Sequence, residues 1–322
     1  MCILSFFELE MKIDLIASCF MKEAPLISII TITYNRCDLI HRCIESIQRQ
    51  TYHNYEHIII DGNSPDDTEK VVLSYNDPHI VYKKLDTRGP EVQMRAGSKI
   101  AKGKYITFLD DDDEYLPEKI EKQVKLFETL PDDFGLIFCW MTYFDAVTGK
   151  KVLEHKNALR GDVADISVEM PRVCGTPTLM VRKDVFEQVG GTYNDSIGFI
   201  GADWELAARI CQITKVDFIP ESLVRVYVNH SHARLSTDFY SDKAHKGIIY
   251  HNHFLTYFKD TFDRIPKYAK YHYYQLANCY IALQDKKMAS KFLLKYFCVS
   301  PFYNPGISRK EILKTIRKLI KL

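Results

Sequence analysis

The chain contains no CxxC pair, although it carries nine cysteines among 322 residues; the two nearest, Cys37 and Cys43, stand six apart. An odd, scattered set of this kind argues against a disulfide framework or a zinc site and fits the reduced thiols of a cytoplasm. No uninterrupted apolar run reaches the ~18 residues that a membrane-spanning helix needs. Neither GxGxxG nor GxxxxGK[ST] follows any strand-like run, so the dinucleotide fingerprint and the P-loop are both missing. Phosphate, if bound, must be held by side chains and metal. The formal net charge is only +1, which speaks against nucleic acid as a partner. Hydrophobic content of 46% and charged content of 26% are ordinary for a globular protein long enough for one large core, or a main domain plus a smaller one.

The first twenty residues are apolar but interrupted by Glu8, Glu10, Lys12 and Asp14, with no basic segment ahead of them, which argues against a secretory signal. Organised sequence begins after a second methionine, Met21. Residues 1–20 therefore read as an N-terminal extension, either frayed or left by an early start codon.

From there strand-like and helix-like runs alternate. Leu26–Thr33 is a β-branched strand, and Ile40, Cys43, Ile44 and Ile47 recur at helical spacing behind Asp38, a plausible cap. Tyr55–Ile60 is a second strand, closed by the turn-rich segment 61–67; Val71–Tyr75 reads as helix and His79–Leu85 as a third strand. Helix over 91–101 leads into strand Tyr105–Leu109, then helix Glu118–Leu130 and strand Gly135–Phe144. Segment 150–172 reads as irregular. Thr178–Arg182, Lys183–Val189, Asp203–Cys211 and Asp217–Val228 follow as strand, helix, helix and strand-like runs. This alternation predicts an α/β, doubly wound sheet. Beyond about Thr237 glycine nearly vanishes, and residues 237–322 read as a helical extension.

One stretch stands apart. GKYITFLDDDDEYLP, residues 103–117, runs a short strand into Asp110, Asp111, Asp112 and Asp113. Four adjacent carboxylates repel one another, and a fold tolerates them mainly where something cationic sits. At the carboxyl end of a strand in an α/β sheet, where ligands dock, that points to a divalent cation carrying phosphate, with hard oxygen ligands suiting Mg²⁺ or Mn²⁺. A calcium-binding loop is a poor fit: Glu121 falls at loop position 12, but Tyr115 occupies the position that needs glycine.

TITYNR after the first strand, IIIDGNSPDDT after the second and ITFLDDDDEYLPEKI after the fourth together resemble the family-2 glycosyltransferases of the GT-A fold, over roughly residues 25–236. That resemblance implies a Rossmann-like mixed sheet over 21–236, with a nucleotide-sugar half (about 25–125) and an acceptor half (135–236). It implies that Thr33, Tyr34 and Asn35 line the nucleotide, that Asp61 accepts an N–H of the base, and that Asp110 and Asp111 contact the donor. Asp112, Asp110 and His230 would hold Mn²⁺ or Mg²⁺; His232 is the rival of His230. Asp113 reads instead as a cap for the following helix.

LDTRGPEVQMRAGSKIAKGKY is similar to the family's N-x-G-x-x-x-A-R-N-x-G segment, with Gly97, Ala101 and Gly103 in register but Met94 where the family has Arg. The basic group near the diphosphate is then Arg88 or Arg95. GADWELAARI resembles the segment holding the catalytic base, which falls on Asp203, although Ala202 replaces the usual Glu. Trp204 would wall the acceptor sugar. The implied activity is inverting transfer from a nucleoside-diphosphate sugar, most simply a UDP-sugar, to a glycan or lipid-linked glycan in surface polysaccharide synthesis. A catalytically impaired nucleotide-sugar-binding protein and a sugar-phosphate nucleotidylyltransferase are the other readings.

At the end of the chain, EILKTIRKLIKL places Ile312, Leu313, Ile316, Leu319 and Ile320 on one helical face amid Arg309, Lys310, Lys314, Arg317, Lys318 and Lys321. Such a helix either packs on the body of the protein or lies on an anionic membrane. The expected location is the cytoplasm, at the inner face of the cell membrane if the second holds.

Overall fold

All seven residues of Ile27–Thr33 (β1) are buried, as are all seven of Tyr55–Asp61 (β2). That is the pattern of parallel strands covered on both faces. The computed structural model describes residues 24–173, 175–191, 202–229 and 243–322; the expected extension 1–20 lies outside them. After β1 come α1 (Ile40–Gln48), β2, α2 (Thr68–Ser74), β3 (Ile80–Lys84), α3 (Pro90–Ile100) and β4 (Tyr105–Phe108). These four strands run parallel in the order β3-β2-β1-β4. The chain therefore winds to one side of β1 and then returns to the other, which makes the carboxyl ends of β1 and β4 the topological switch point.

Two apolar layers sandwich this sheet. Ile30, Ile58, Ile60 and Phe108 face one core; Ile27, Ile29, Cys43 and Ile47 face the other. Helix α3 lies so close to β1 that a Cβ on Gly97 would stand 2.8 Å from Ile30 Cγ2. The turn into β4 is tighter still: a Cβ on Gly103 would meet the Ser28 backbone nitrogen at 2.5 Å. Only glycine fits there.

The sheet continues through β8 (Met180–Arg182), β6 (Phe134–Asp145), β9 (Lys215–Val228) and β5 (Glu114–Tyr115), with α4 (Lys119–Thr129), α5 (Ala164–Ser167), α6 (Lys183–Gln188) and α7 (Ala202–Cys211) in the connections. β8 runs antiparallel to β4, so the sheet is mixed. Two local expectations are corrected. Segment 150–172 is not wholly irregular, because Lys151–His155 (β7) pairs antiparallel with β6; as a solvent-facing strand with no other partner it carries no apolar alternation to reveal it. Asp38 does not cap α1; Leu39 holds the N-cap position without a side-chain cap, and the Arg36 carbonyl accepts the N–H groups of Leu39 and Ile40.

The C-terminal part is helical, as expected: α8 (Lys243–Tyr257), α9 (Lys259–Arg264), α10 (Lys270–Ala282), α11 (Lys286–Cys298) and α12 (Arg309–Lys321). It joins the sheet body through Trp204, which packs on Phe254 and His272 with ring centroids 4.2 and 5.4 Å away and donates its indole N–H to the Ser167 carbonyl. Burial pushes the His272 imidazole down to about 4, so it joins this core uncharged. Trp204 is only 6% exposed. It is therefore a core residue, not the wall of a sugar site; a Trp at a helix start carries no sequence signal that separates the two.

Helix α12 packs Ile312, Ile316 and Leu319 against α10 and α11, and Thr315 is buried with its hydroxyl donating to Asn278. Ser308 and Glu311 form a reciprocal capping box at its start. Ser308→Ala is expected to lower stability by about 1 kcal/mol, readable as a reduced urea midpoint with an unchanged slope.

Candidate active site

The loops after β1 and β4 meet at the switch point. Thr33 Oγ1 donates to Asp111 Oδ2 at 2.7 Å, and Arg36 Nη1 donates to Asp112 Oδ2 at 2.9 Å while lying 3.6 Å from Asp111 Oδ1. Arg42 adds a hydrogen bond to the Asp112 carbonyl and stacks its guanidinium over the Tyr227 ring. The positive charge that the acidic run demands is thus partly resident. Arg36 lies within TYNR, and nothing in that local stretch announces that its charge meets the acidic run after β4. Burial, and then repulsion from Asp112, push the Asp111 carboxyl upward against the opposing pull of Arg36 and Thr33.

Asp110, Asp112 and Asp113 each offer a carboxylate oxygen, and the three oxygens lie within 4.8 Å of one another. Asp110 is exposed while the other two are buried, so the cluster opens to solvent on one side. Three hard oxygen donors this close suit Mg²⁺ or Mn²⁺. Asp113 is not the expected helix cap. Its Oδ1 accepts the backbone N–H of Tyr227 in β9 at 2.9 Å, and α4 begins behind Glu118 without a side-chain cap. Only the pairing of β5 with β9 brings those residues together, and local sequence cannot announce it. At the start of α4 Lys119 is fully buried, donates to Thr107 Oγ1 at 2.6 Å, and is pushed down to about 7 by burial.

On the nucleotide side, register pairs Thr33 with Asp61 and Asp61 with Lys84, so these three end adjacent parallel strands. Asp61 Oδ1 accepts the Ser64 N–H at 2.8 Å and Oδ2 accepts the Tyr82 hydroxyl at 2.6 Å. It is wholly buried, and the turn after β2 is built on it. Asn35 adopts a positive φ of 55° and donates its N–H to Ser64 Oγ, tying the two loops together. Arg88 lies over the Tyr34 ring with its guanidinium carbon 4.1 Å from the centroid. Arg95 is exposed on α3, whereas Met94 beside it is buried in the core.

On the acceptor side, Asp203 opens α7 and is exposed. The Trp204 N–H donates to its Oδ1 at 2.8 Å, and its Oδ2 faces Gly175, 3.7 Å from where a Cβ would stand, beside Met141. Met141 is the register partner of His155 at the end of β7. Although the residue as a whole is open to solvent, its carboxyl is partly desolvated beside Gly175 and Met141, which raises its pKa, while backbone N–H bonds and the nearby His155 pull it down. His155 had no sequence signal because its strand had none. His230 and its rival His232 lie outside the described residues.

A doubly wound, mixed sheet with an acidic cluster and a paired arginine at its switch point has the layout of the GT-A fold. The Glycosyl transferase family 2 model matches residues 28–190, and the chain belongs to that family. The fold is shared, at a TM-score of 0.56, with Staphylococcus aureus TarS, 14% identical over 92% of this chain and 90% of that one. It is shared too, at 0.58, with the mannosyltransferase PcManGT from Pyrobaculum calidifontis, solved with GDP-Man and Mn²⁺, 15% identical over 93% and 87% of the two chains. Among curated relatives, an uncharacterized glycosyltransferase of Rickettsia prowazekii is 28% identical over 63% of this chain and 64% of its own length. A UDP-Glc:alpha-D-GlcNAc-diphosphoundecaprenol beta-1,3-glucosyltransferase of Escherichia coli is 41% identical over 32% of this chain and 42% of its own. The chain thus spans less than two thirds of the length of these two relatives. Among the described residues no helix is long and apolar enough to cross a membrane.

Proposed function

We propose that the protein is a metal-dependent, inverting glycosyltransferase moving a sugar from a UDP-sugar to a hydroxyl of a glycan or lipid-linked glycan in surface polysaccharide synthesis. The observation that carries this reading is the close approach of the Asp110, Asp112 and Asp113 carboxylates at the switch point of the sheet. The Escherichia coli relative, a glucosyltransferase of UDP-Glc and a diphosphoundecaprenol-linked acceptor, supports the donor and acceptor class. Six free thiols among the described residues fit a cytoplasmic location.

In this reading Asp112 and Asp110 hold the divalent cation, with His230 as a further ligand. When bound, that ion supplies charge neutralisation at the departing diphosphate. Asp110 and Asp111 contact the donor, and Arg88 or Arg95 takes the diphosphate. Thr33, Tyr34 and Asn35 line the base; the Tyr34 ring, already stacked by Arg88, offers a flat apolar face. Each Asp61 oxygen has a second lone pair beyond the bond it already accepts, which suits an N–H of uracil. Asp203 removes the proton of the attacking hydroxyl as its oxygen bonds to the anomeric carbon. The bond from that carbon to the diphosphate oxygen breaks on the opposite face, and the electron pair leaves with the diphosphate.

A thermal-shift series with UDP-sugars tests the donor half of this scheme. A cognate sugar at about 100 times its Kd is expected to stabilise the protein by about 2.7 kcal/mol in Mn²⁺ and by much less in chelator. Asp112→Ala should abolish the Mn²⁺-dependent part. Equal shifts in Mn²⁺, in chelator and in the variant would remove the metal from the reading.

The departures at Met94 and Ala202 favour one alternative, a protein that binds the donor without transferring it. Slow Mn²⁺-dependent hydrolysis of a bound UDP-sugar would decide for the transferase, and complete inertness for the binder.

A further inference from the structure

The C-terminal helices carry a charge and an exposure pattern that neither the sheet nor the catalytic reading uses. Between Lys286 and Leu322 lie ten lysines and arginines and a single acidic residue, Glu311, in a chain whose total is only +1. The apolar stripe of α12 is not free to enter a bilayer, because Ile312, Ile316 and Leu319 pack inward. What faces solvent is the opposite stripe: Lys310, Leu313, Lys314, Arg317 and Ile320, spaced to share one helical face. Ile320 is 72% exposed.

The turn joining α11 to α12 adds a second, independent element. Phe302 at its tip is completely exposed. An exposed aromatic ring gains free energy when it is covered, and hydrogen bonds hold the backbone of this turn in place. Lys270, buried in α10, donates its ammonium to the carbonyls of Ser300 at 3.1 Å and Tyr303 at 2.7 Å, bracketing Phe302. The Tyr303 N–H closes the turn on the Ser300 carbonyl at 2.9 Å, and its hydroxyl reaches the buried Glu169. The brace fixes the backbone and leaves the ring outside.

We infer that Phe302 and the outward stripe of α12 form a docking surface for an anionic lipid bilayer. The ring would insert at the headgroup boundary while the cations meet the negative leaflet. Charge complementarity selects the occupant: a dense cationic face with isolated apolar side chains matches anionic headgroups over acyl chains, whereas a protein interface core is depleted in lysine. Nucleotide sugar plays no part, so this inference stands or falls separately from the catalytic one.

Co-sedimentation of the full chain with vesicles tests it, without donor or metal. Wild type is expected to bind vesicles of phosphatidylglycerol and phosphatidylcholine at low salt, with little binding to phosphatidylcholine alone. Phe302→Ser and, separately, the triple variant K310Q/K314Q/R317Q should each lower the partition coefficient at least ~10-fold, the first through the lost burial of an aromatic ring and the second through three lost surface cations. Circular dichroism melts matching wild type would show that both variants fold. Equal binding to the two vesicle types, undiminished binding by both variants, or no binding by wild type would each overturn the proposal.

Discussion

Asp203→Asn is expected to lower sugar transfer by ~10²–10⁴-fold, the usual worth of a positioned general base, while the thermal shift given by donor and Mn²⁺ stays at its wild-type size. The substitution keeps an oxygen that can accept the Trp204 N–H, so the start of α7 is preserved and only the proton acceptor is lost. The pH dependence gives a second handle. Partial desolvation of the carboxyl holds the Asp203 pKa above its ordinary value, against the pull of the Trp204 N–H and His155. A base must be ionised to act, so wild-type turnover should rise with pH through that raised value and level off above it. The residual activity of the Asn variant should lack this rise. His155 is held below its ordinary pKa by burial, so it is neutral at pH 7 and adds no charge to the site there. Near-wild-type turnover by the variant, or the same pH rise in both proteins, would take Asp203 out of the chemistry.

The parts of this protein that can be read along the chain are those whose signals are local. β1 and β2 announce themselves because every residue in them is buried, which demands unbroken β-branched runs such as Ile58–Ile60. The acidic run after β4 is visible because four adjacent aspartates are costly without compensation. What stays hidden is made by pairing distant segments. The Asp113 carboxylate depends on Tyr227, 114 residues away. β7 carries no apolar alternation because Lys151, Val152 and Leu153 are all exposed, and with it His155 goes unseen. Trp204 looks like a sugar-stacking ring in sequence and becomes core only once α8 and α10 close over it. α12 shows the limit most clearly. Its composition predicts an amphipathic basic helix, but which face meets water is decided by α10 and α11, and the outcome reverses the face available to a membrane.

Arg36→Gln should destabilise the metal-free protein by about 3 kcal/mol, because removing one member of a buried ion pair leaves the others uncompensated. The pair is well enclosed: the side chains of Arg36 and Asp112 are only 9% and 7% exposed. Arg42 is placed differently, donating to the Asp112 carbonyl and lying over the Tyr227 ring. In the variant, Asp111 and Asp112 would face each other with Thr33 as the remaining hydroxyl donor to Asp111. A divalent cation bound by the same cluster would then offset more repulsion than it does in wild type. Millimolar Mn²⁺ is therefore expected to raise the Tm of Arg36→Gln by more than that of the parent, closing part of the gap that urea or heat reveals in chelator. The size of that difference measures how much of the acidic cluster's charge the protein balances internally. If the variant were as stable as wild type in chelator, or if Mn²⁺ moved both melting curves equally, Arg36 would not be the counter-charge that lets four aspartates follow one strand.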